Sequence, residues 1–232
     1  MRLCALAESQ NDLMKNPQLT PRKEAQQARS RKKVEKILSV TRALLTEGPA
    51  HQITTIGIAE HAGISVGSLY QFFPNKEAIF YELFRQWLSE TVKTLDRVKD
   101  SLTDDATKED CVDAFLTALS DPKLNSLENW KLRMAMGLTP ELAKLEEQHI
   151  HEVTIRIFEL QKRFGNPPPD KMLTDIMVLQ NEITVRCLFS LAFLEKSPNH
   201  DVLFELCKKL MMLIYDYPSW STLELNPTPP KQ

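Results

Sequence analysis

Between Ile53 and Lys76 the chain reads ITTIGIAEHAGISVGSLYQFFPNK, and this stretch constrains the fold more than any other. Two short helices about one sharp turn fit it. Thr54 or Thr55 can start the first, because a hydroxyl oxygen accepts an otherwise orphan backbone N–H. Ile58, Ala59 and Ala62 give that helix one apolar face. Gly63 stands where the chain must reverse, and glycine takes positive φ without a Cβ clash. Ser65 caps a second helix, SVGSLYQF, whose Leu69 and Phe73 point inward while the same spacing puts Phe72 outward. This is a helix-turn-helix layout, in which the second helix enters the DNA major groove.

Charge along the chain agrees. The net charge of −2 is uninformative, but residues 22–76 carry nine Lys/Arg against four Asp/Glu, and residues 77–232 carry eighteen against twenty-five. Basic charge beside the helix-turn-helix suits phosphate, and an acidic remainder suits a separate second domain.

Elsewhere apolar residues recur at three-to-four spacing, which predicts an all-α chain of about nine helices. A first helix spans about Arg22 to Glu47 and ends at Gly48-Pro49. Asn75 caps a long fourth helix over about Lys76–Lys99, with Glu77 at its positive end. Three more follow, over about Lys108–Ser120, Leu124–Leu138 and Pro140–Arg163, the last capped by Thr139 and closed by Gly165-Asn166-Pro167. The last two, about Asp170–Lys196 and His200–Tyr215, are apolar around much of their circumference, so both sides need cover. A second copy of the chain, forming a four-helix bundle over residues 170–215, is the simplest cover; a central core helix without a dimer is the alternative. The expected organisation is a leader at 1–21, in which Met14 is an alternative start, a helix-turn-helix domain at 22–76, a helical effector-binding and dimerisation domain at 77–216, and a proline-rich tail at 217–232.

Cys4, Cys111, Cys187 and Cys207 are scattered, without a CxxC pair, and read as reduced cytosolic thiols. No window reaches the apolar length of a membrane span. There is no GxSxG, Walker loop or HExxH, so an all-helical enzyme is the weaker reading. Neither a metal nor a cofactor is expected; His149 and His151 point to different helix faces and make a poor chelating pair.

A basic first helix, then TTIGIAEHAGISVGSLYQFFPNKEAI, then a long helix and an all-helical remainder resembles the tetracycline-repressor (TetR) family of bacterial regulators. The specific motif covers about residues 30–85; beyond it the likeness lies in helix number and length. The resemblance implies a cytoplasmic homodimer on a palindromic DNA operator, released when a small effector in the C-terminal domain shifts the fourth helix. A ligand-independent or activating DNA binder is the alternative. One departure stands out. Ile56 occupies a position where some members carry a base-reading arginine, so sequence choice is expected to rest on the third helix and the N-terminal arm.

Candidate DNA contacts follow. Tyr70 packs its ring on the domain and offers its hydroxyl to a phosphate. Gly67 lets the recognition helix approach closely. Ser68 and Gln71 are hydrogen-bonding side chains on the outer face, and Gln71 has the groups to read adenine. Val66 suits a thymine methyl. Ser65 caps the helix and lies near phosphate. Phe72 is either an exposed aromatic against the DNA or a rim residue against the first helix. Thr54 and Thr55 open a helix where a phosphate would sit. Lys76 resembles the family's phosphate-contacting lysine. Arg29, Arg31, Lys32 and Lys33 suit phosphate or the minor groove, or else form a solvated face. In the second half, Trp87, Phe115, Trp130, Met134, Phe158 and Phe189 are candidates to line a mostly apolar effector pocket. Ordinary core packing is the alternative for each.

Overall fold

In the computed structural model of the chain, the described residues are 28–136, 140–161 and 170–215. Nine α-helices, and no strand, occur among them. They are α1 (Ala28–Glu47), α2 (Thr55–Ala62), α3 (Val66–Tyr70), α4 (Lys76–Ser101), α5 (Lys108–Leu119), α6 (Leu127–Met136), α7 (Pro140–Gln161), α8 (Asp170–Phe193) and α9 (His200–Tyr215). A 3-10 turn, Ala50–Gln52, lies between α1 and α2 and was not foreseen from the sequence. The expected leader, tail and Thr139 cap, with Cys4 and Met14, lie outside the described residues.

Local chemistry sets the helix boundaries. Thr54 Oγ1 accepts from the Gly57 amide at 3.0 Å, so Thr54 rather than Thr55 is the cap of α2. Ser65 Oγ accepts from the Ser68 amide at 3.1 Å, and Asn75 Oδ1 from the Ala78 amide at 2.8 Å. Each removes one orphan donor at a helix start. Thr107 and Asp110 close a reciprocal capping box at the start of α5. Gly63 ends α2 in the left-handed region, with φ 65° and ψ 36°. A side chain there carries a strain of ~1–2 kcal/mol. Gly63→Ala is therefore expected to lower stability by about that amount, read as a lower urea midpoint.

The chain divides into two compact units. One holds the described residues up to Thr91 together with those of Lys123–His149; the other holds Val92–Pro122 and the described residues from Ile150 onward. The unit carrying the helix-turn-helix therefore also includes α6 and the first part of α7, which the sequence reading grouped with the second domain.

In the first unit Ile37, Leu45, Ile58, Leu69, Phe73, Ile79, Leu83 and Phe84 are nearly inaccessible and form one core. Leu132 of α6 joins it at 2% exposure. Lys131, beside it, donates to the carbonyls of Leu45 at 2.9 Å and Thr46 at 3.1 Å, satisfying acceptors at the end of α1.

In the second unit Val112 and Leu116 of α5, Leu191 of α8 and Met211 of α9 form the core, with Leu203, Phe204, Cys207 and Met212 packed against it. Lys208 of α9 pairs with Asp113 of α5 at 2.7 Å. The opposite face of α9 is apolar and exposed: Val202, Leu206, Leu210 and Leu213 recur at helical spacing.

Candidate nucleic-acid interface

The helix-turn-helix brings several predicted residues together. Thr55 Oγ1 lies 3.1 Å from the Tyr70 hydroxyl, which joins the first turn of α2 to the last residue of α3. Tyr70 is 39% exposed. Lys33 of α1 reaches Ser68 of α3 at 3.5 Å, a long contact that nonetheless puts an ammonium beside the recognition helix. Arg29, Arg31 and Lys32 are exposed along the same end of α1. Thr54, Ser65, Gly67 and Gln71 are exposed as well. The result is a surface of hydroxyls, an amide and cations, the groups that bind phosphate and base edges.

Three predicted contacts are placed differently. Phe72 is not outward; it is 5% exposed and packs in the core with Phe73. The reason is local. Helix α3 ends at Tyr70, and the Phe72 amide then bonds back to the Leu69 carbonyl at 2.9 Å. That tighter turn breaks the spacing from which the outward direction was read. Val66 is half-buried and packs against the same core, leaving little of its surface for a thymine. Lys76 donates to the carbonyls of Ile53 at 3.1 Å and His51 at 3.4 Å. Its ammonium thus pins the 3-10 connection, and a phosphate contact would require it to leave those acceptors.

Gly67 has open space where a Cβ would stand. Nothing inside the chain demands a glycine there, although glycine in a helix costs ~0.5–1 kcal/mol relative to alanine.

The six candidate pocket residues divide between the units. Trp87 and Trp130 pack edge to face in the first unit, with centroids 5.6 Å apart. The Trp130 indole donates to Asn125 Oδ1 at 2.7 Å, and the Arg133 guanidinium lies over its ring while pairing with Glu146. Arg133 is thereby held on both sides. Met134 is 60% exposed, so in this chain it faces outward rather than lining an enclosed site. In the second unit Phe115 is buried, while Phe158 and Phe189 are half-buried, Phe189 stacking on Phe193 at 5.9 Å.

Cys111, Cys187 and Cys207 are not joined in a disulfide. Burial pushes the Cys187 thiol up to about 12, with Cys207 beside it adding to the rise. Cys187 is therefore protonated at neutral pH and a poor nucleophile. Among the described residues no cluster of three or more His, Cys, Asp or Glu is arranged to hold a metal. No described helix is long and apolar enough to cross a membrane.

A helix-turn-helix capped at both helices, followed by an all-helical body, defines the class: a helical regulatory protein built around a DNA-binding domain. The family described as bacterial regulatory proteins, tetR family, matches residues 37–83, from α1 into α4. The nucleoid occlusion factor SlmA of Alteromonas mediterranea is 36% identical over 72 residues, 29% of this chain and 36% of that protein. The match thus spans little more than a third of that relative's length. A transcriptional regulator of Pseudomonas aeruginosa PAO1 superposes with a TM-score of 0.64 at 15% identity, covering 82% of this chain and 93% of that one. A TetR-family regulator of Streptomyces coelicolor superposes at 0.55 with 18% identity, over 78% and 96%. At such identities the structural likeness carries the fold alone. The helix-turn-helix segment, residues 37–83, is thus similar to the DNA-binding region of the tetR family of bacterial regulatory proteins.

Proposed function

We propose that the chain is a ligand-responsive, cytoplasmic DNA-binding regulator without enzymatic activity. It acts as a repressor that binds a palindromic operator as a homodimer and leaves it when a small, mostly apolar effector binds the helical body. The observation that carries the DNA-binding part is the Thr55–Tyr70 and Lys33–Ser68 pairing on the outer surface of the helix-turn-helix. Hydroxyls and cations held there by a rigid core are positioned for phosphates before DNA arrives, so little entropy is lost on binding. Residues 22–76 form the DNA-binding domain proper, and the aromatic residues of the 77–216 body bind the effector.

Dimerisation is supported by the exposed stripe Val202, Leu206, Leu210 and Leu213 on α9 and by the exposure of Val178, Leu179 and Phe193 on α8. A stripe of this kind is left in water by one chain alone and is removed from it by a two-fold copy.

The test is a mobility shift on DNA upstream of the protein's own gene, with and without a panel of apolar compounds. Sequence-selective binding relieved by one compound is the expected result. Selective binding that no compound relieves would favour the ligand-independent reading. Turnover of a compound would overturn the non-enzymatic one. Gly67→Ala offers a sharper check. It is expected to keep or raise the melting temperature, because the added methyl meets open space, and to weaken operator binding several-fold by holding α3 off the groove. Undiminished affinity would remove Gly67 from the interface.

A further inference from the structure

From the sequence, Val66 and, as one of two readings, Phe72 are the apolar candidates for DNA contact, and base reading is expected from α3 and the N-terminal arm rather than from α2. The folded chain exposes a different apolar side chain. Phe72 is buried and Val66 packs on the core, whereas Ile56 of α2 is 55% exposed. Among the described residues 28–76, the large apolar side chains left exposed are Ile56 and Tyr70. They flank one residue: Ile56 follows Thr55 in the chain, and Tyr70 is hydrogen-bonded to Thr55.

Burial does not account for an isoleucine at this position, since Ile56 is 55% exposed among the described residues. The buried residues of α2 are Ile58, Ala59 and Ala62, and Ile56 is not among them. A β-branched residue also forms helix less readily than alanine or a straight-chain side chain. Scattered exposed hydrophobics are common and by themselves need no explanation. This one, however, sits in the first turn of α2, beside the Thr54 cap and the Thr55–Tyr70 pair that the proposed function places against DNA. The apolar groups offered by the major groove are thymine methyls. Glu60, also exposed on α2, lies one turn farther from the helix start, so the apolar contact is confined to the first turn.

We propose that Ile56 is a specificity-determining residue, which selects thymine at one position of each operator half-site by covering its 5-methyl group. The inference rests on the reading of the chain as an operator-binding protein and adds which base α2 selects. Two other surface features carry less. The Trp87–Trp130 pair is already closed by its own neighbours, and the α9 stripe is absorbed by the dimer described above.

The experiment begins by selecting the preferred duplex from a random library with the full-length protein. Each symmetric pair of thymines in that duplex is then replaced by deoxyuridine, which removes the methyl and nothing else. The wild type is expected to lose about fourfold in affinity per half-site at one such pair, the effect of uncovering one methyl-sized group. Ile56→Ala is expected to bind the thymine and uracil duplexes equally at that pair, and Ile56→Val to keep part of the difference. An Ile56→Ala protein as sensitive as the wild type at every thymine, or a wild type indifferent to all of them, would overturn the proposal. Failure of the wild type to select any sequence would overturn the operator-binding reading and this inference with it. Ile56 is exposed, so its truncation leaves the core intact, and matched thermal midpoints of the variants are the control.

Discussion

Replacing Leu206 and Leu210 together by arginine is expected to convert the protein to a monomer and to weaken operator binding by about 10²–10⁴-fold. Both side chains lie on the outer face of α9, and the inner face, with Leu203, Phe204, Cys207 and Met211, is left untouched. The double variant should therefore keep its helical content and the stability of each chain. In the proposed dimer, what it would lose is the burial of two leucines against a second copy, each worth ~1.5–3 kcal/mol, with two cations then facing two others across the axis. The consequence for DNA is larger than for the interface itself. A dimer already held at one half-site meets the other at a high effective concentration, and a monomer has no such advantage. Sedimentation and operator titration on the same sample check both parts. A variant that sediments like the wild type would place the dimer interface elsewhere.

Leu132→Ala is the second large effect expected, at ~2–5 kcal/mol of destabilisation. The site lies far along the sequence from the helix-turn-helix, yet the side chain is 2% exposed and sits in the same core as Ile37, Leu69 and Phe73. Truncation would leave a cavity beside α1, whose final carbonyls are held by Lys131 from the same turn of α6. The expected readout is a lower urea midpoint together with loss of DNA binding at temperatures the wild type survives. A companion measurement separates packing from folding in general. A fragment ending at Ser101 lacks both Lys131 and Leu132, and is expected to unfold more readily than the same residues in the full chain. If Leu132→Ala left stability within ~0.5 kcal/mol of wild type, α6 would not be part of the DNA-binding core.

Much of the local structure was legible in the sequence because short-range chemistry determines it. Thr54, Ser65 and Asn75 are hydroxyl or amide side chains three residues before an orphan amide, and each caps as its position indicates. Gly63 was readable because only a residue without Cβ sits comfortably at positive φ. Phe72 was misread because α3 is a single short turn longer than one repeat; helical spacing was extended past Tyr70, where the helix had ended. Lys76 resembles a phosphate-contacting lysine in the sequence, and its bonds to the carbonyls of Ile53 and His51 were not legible there because a sequence does not show which carbonyls a folded connection brings within reach.

The sequence by itself settled the all-α class, the helix-turn-helix and its caps, since these depend on residues within one or two turns of each other. Tertiary structure alone decided that α6 belongs with the DNA-binding core, that Lys131 and Lys76 pin the connection between α1 and α2, and that Ile56 rather than Phe72 stands exposed beside Thr55. Those outcomes depend on which faces meet in space, and apolar burial, being non-directional, leaves no mark in the spacing of a single helix to say which partner covers it.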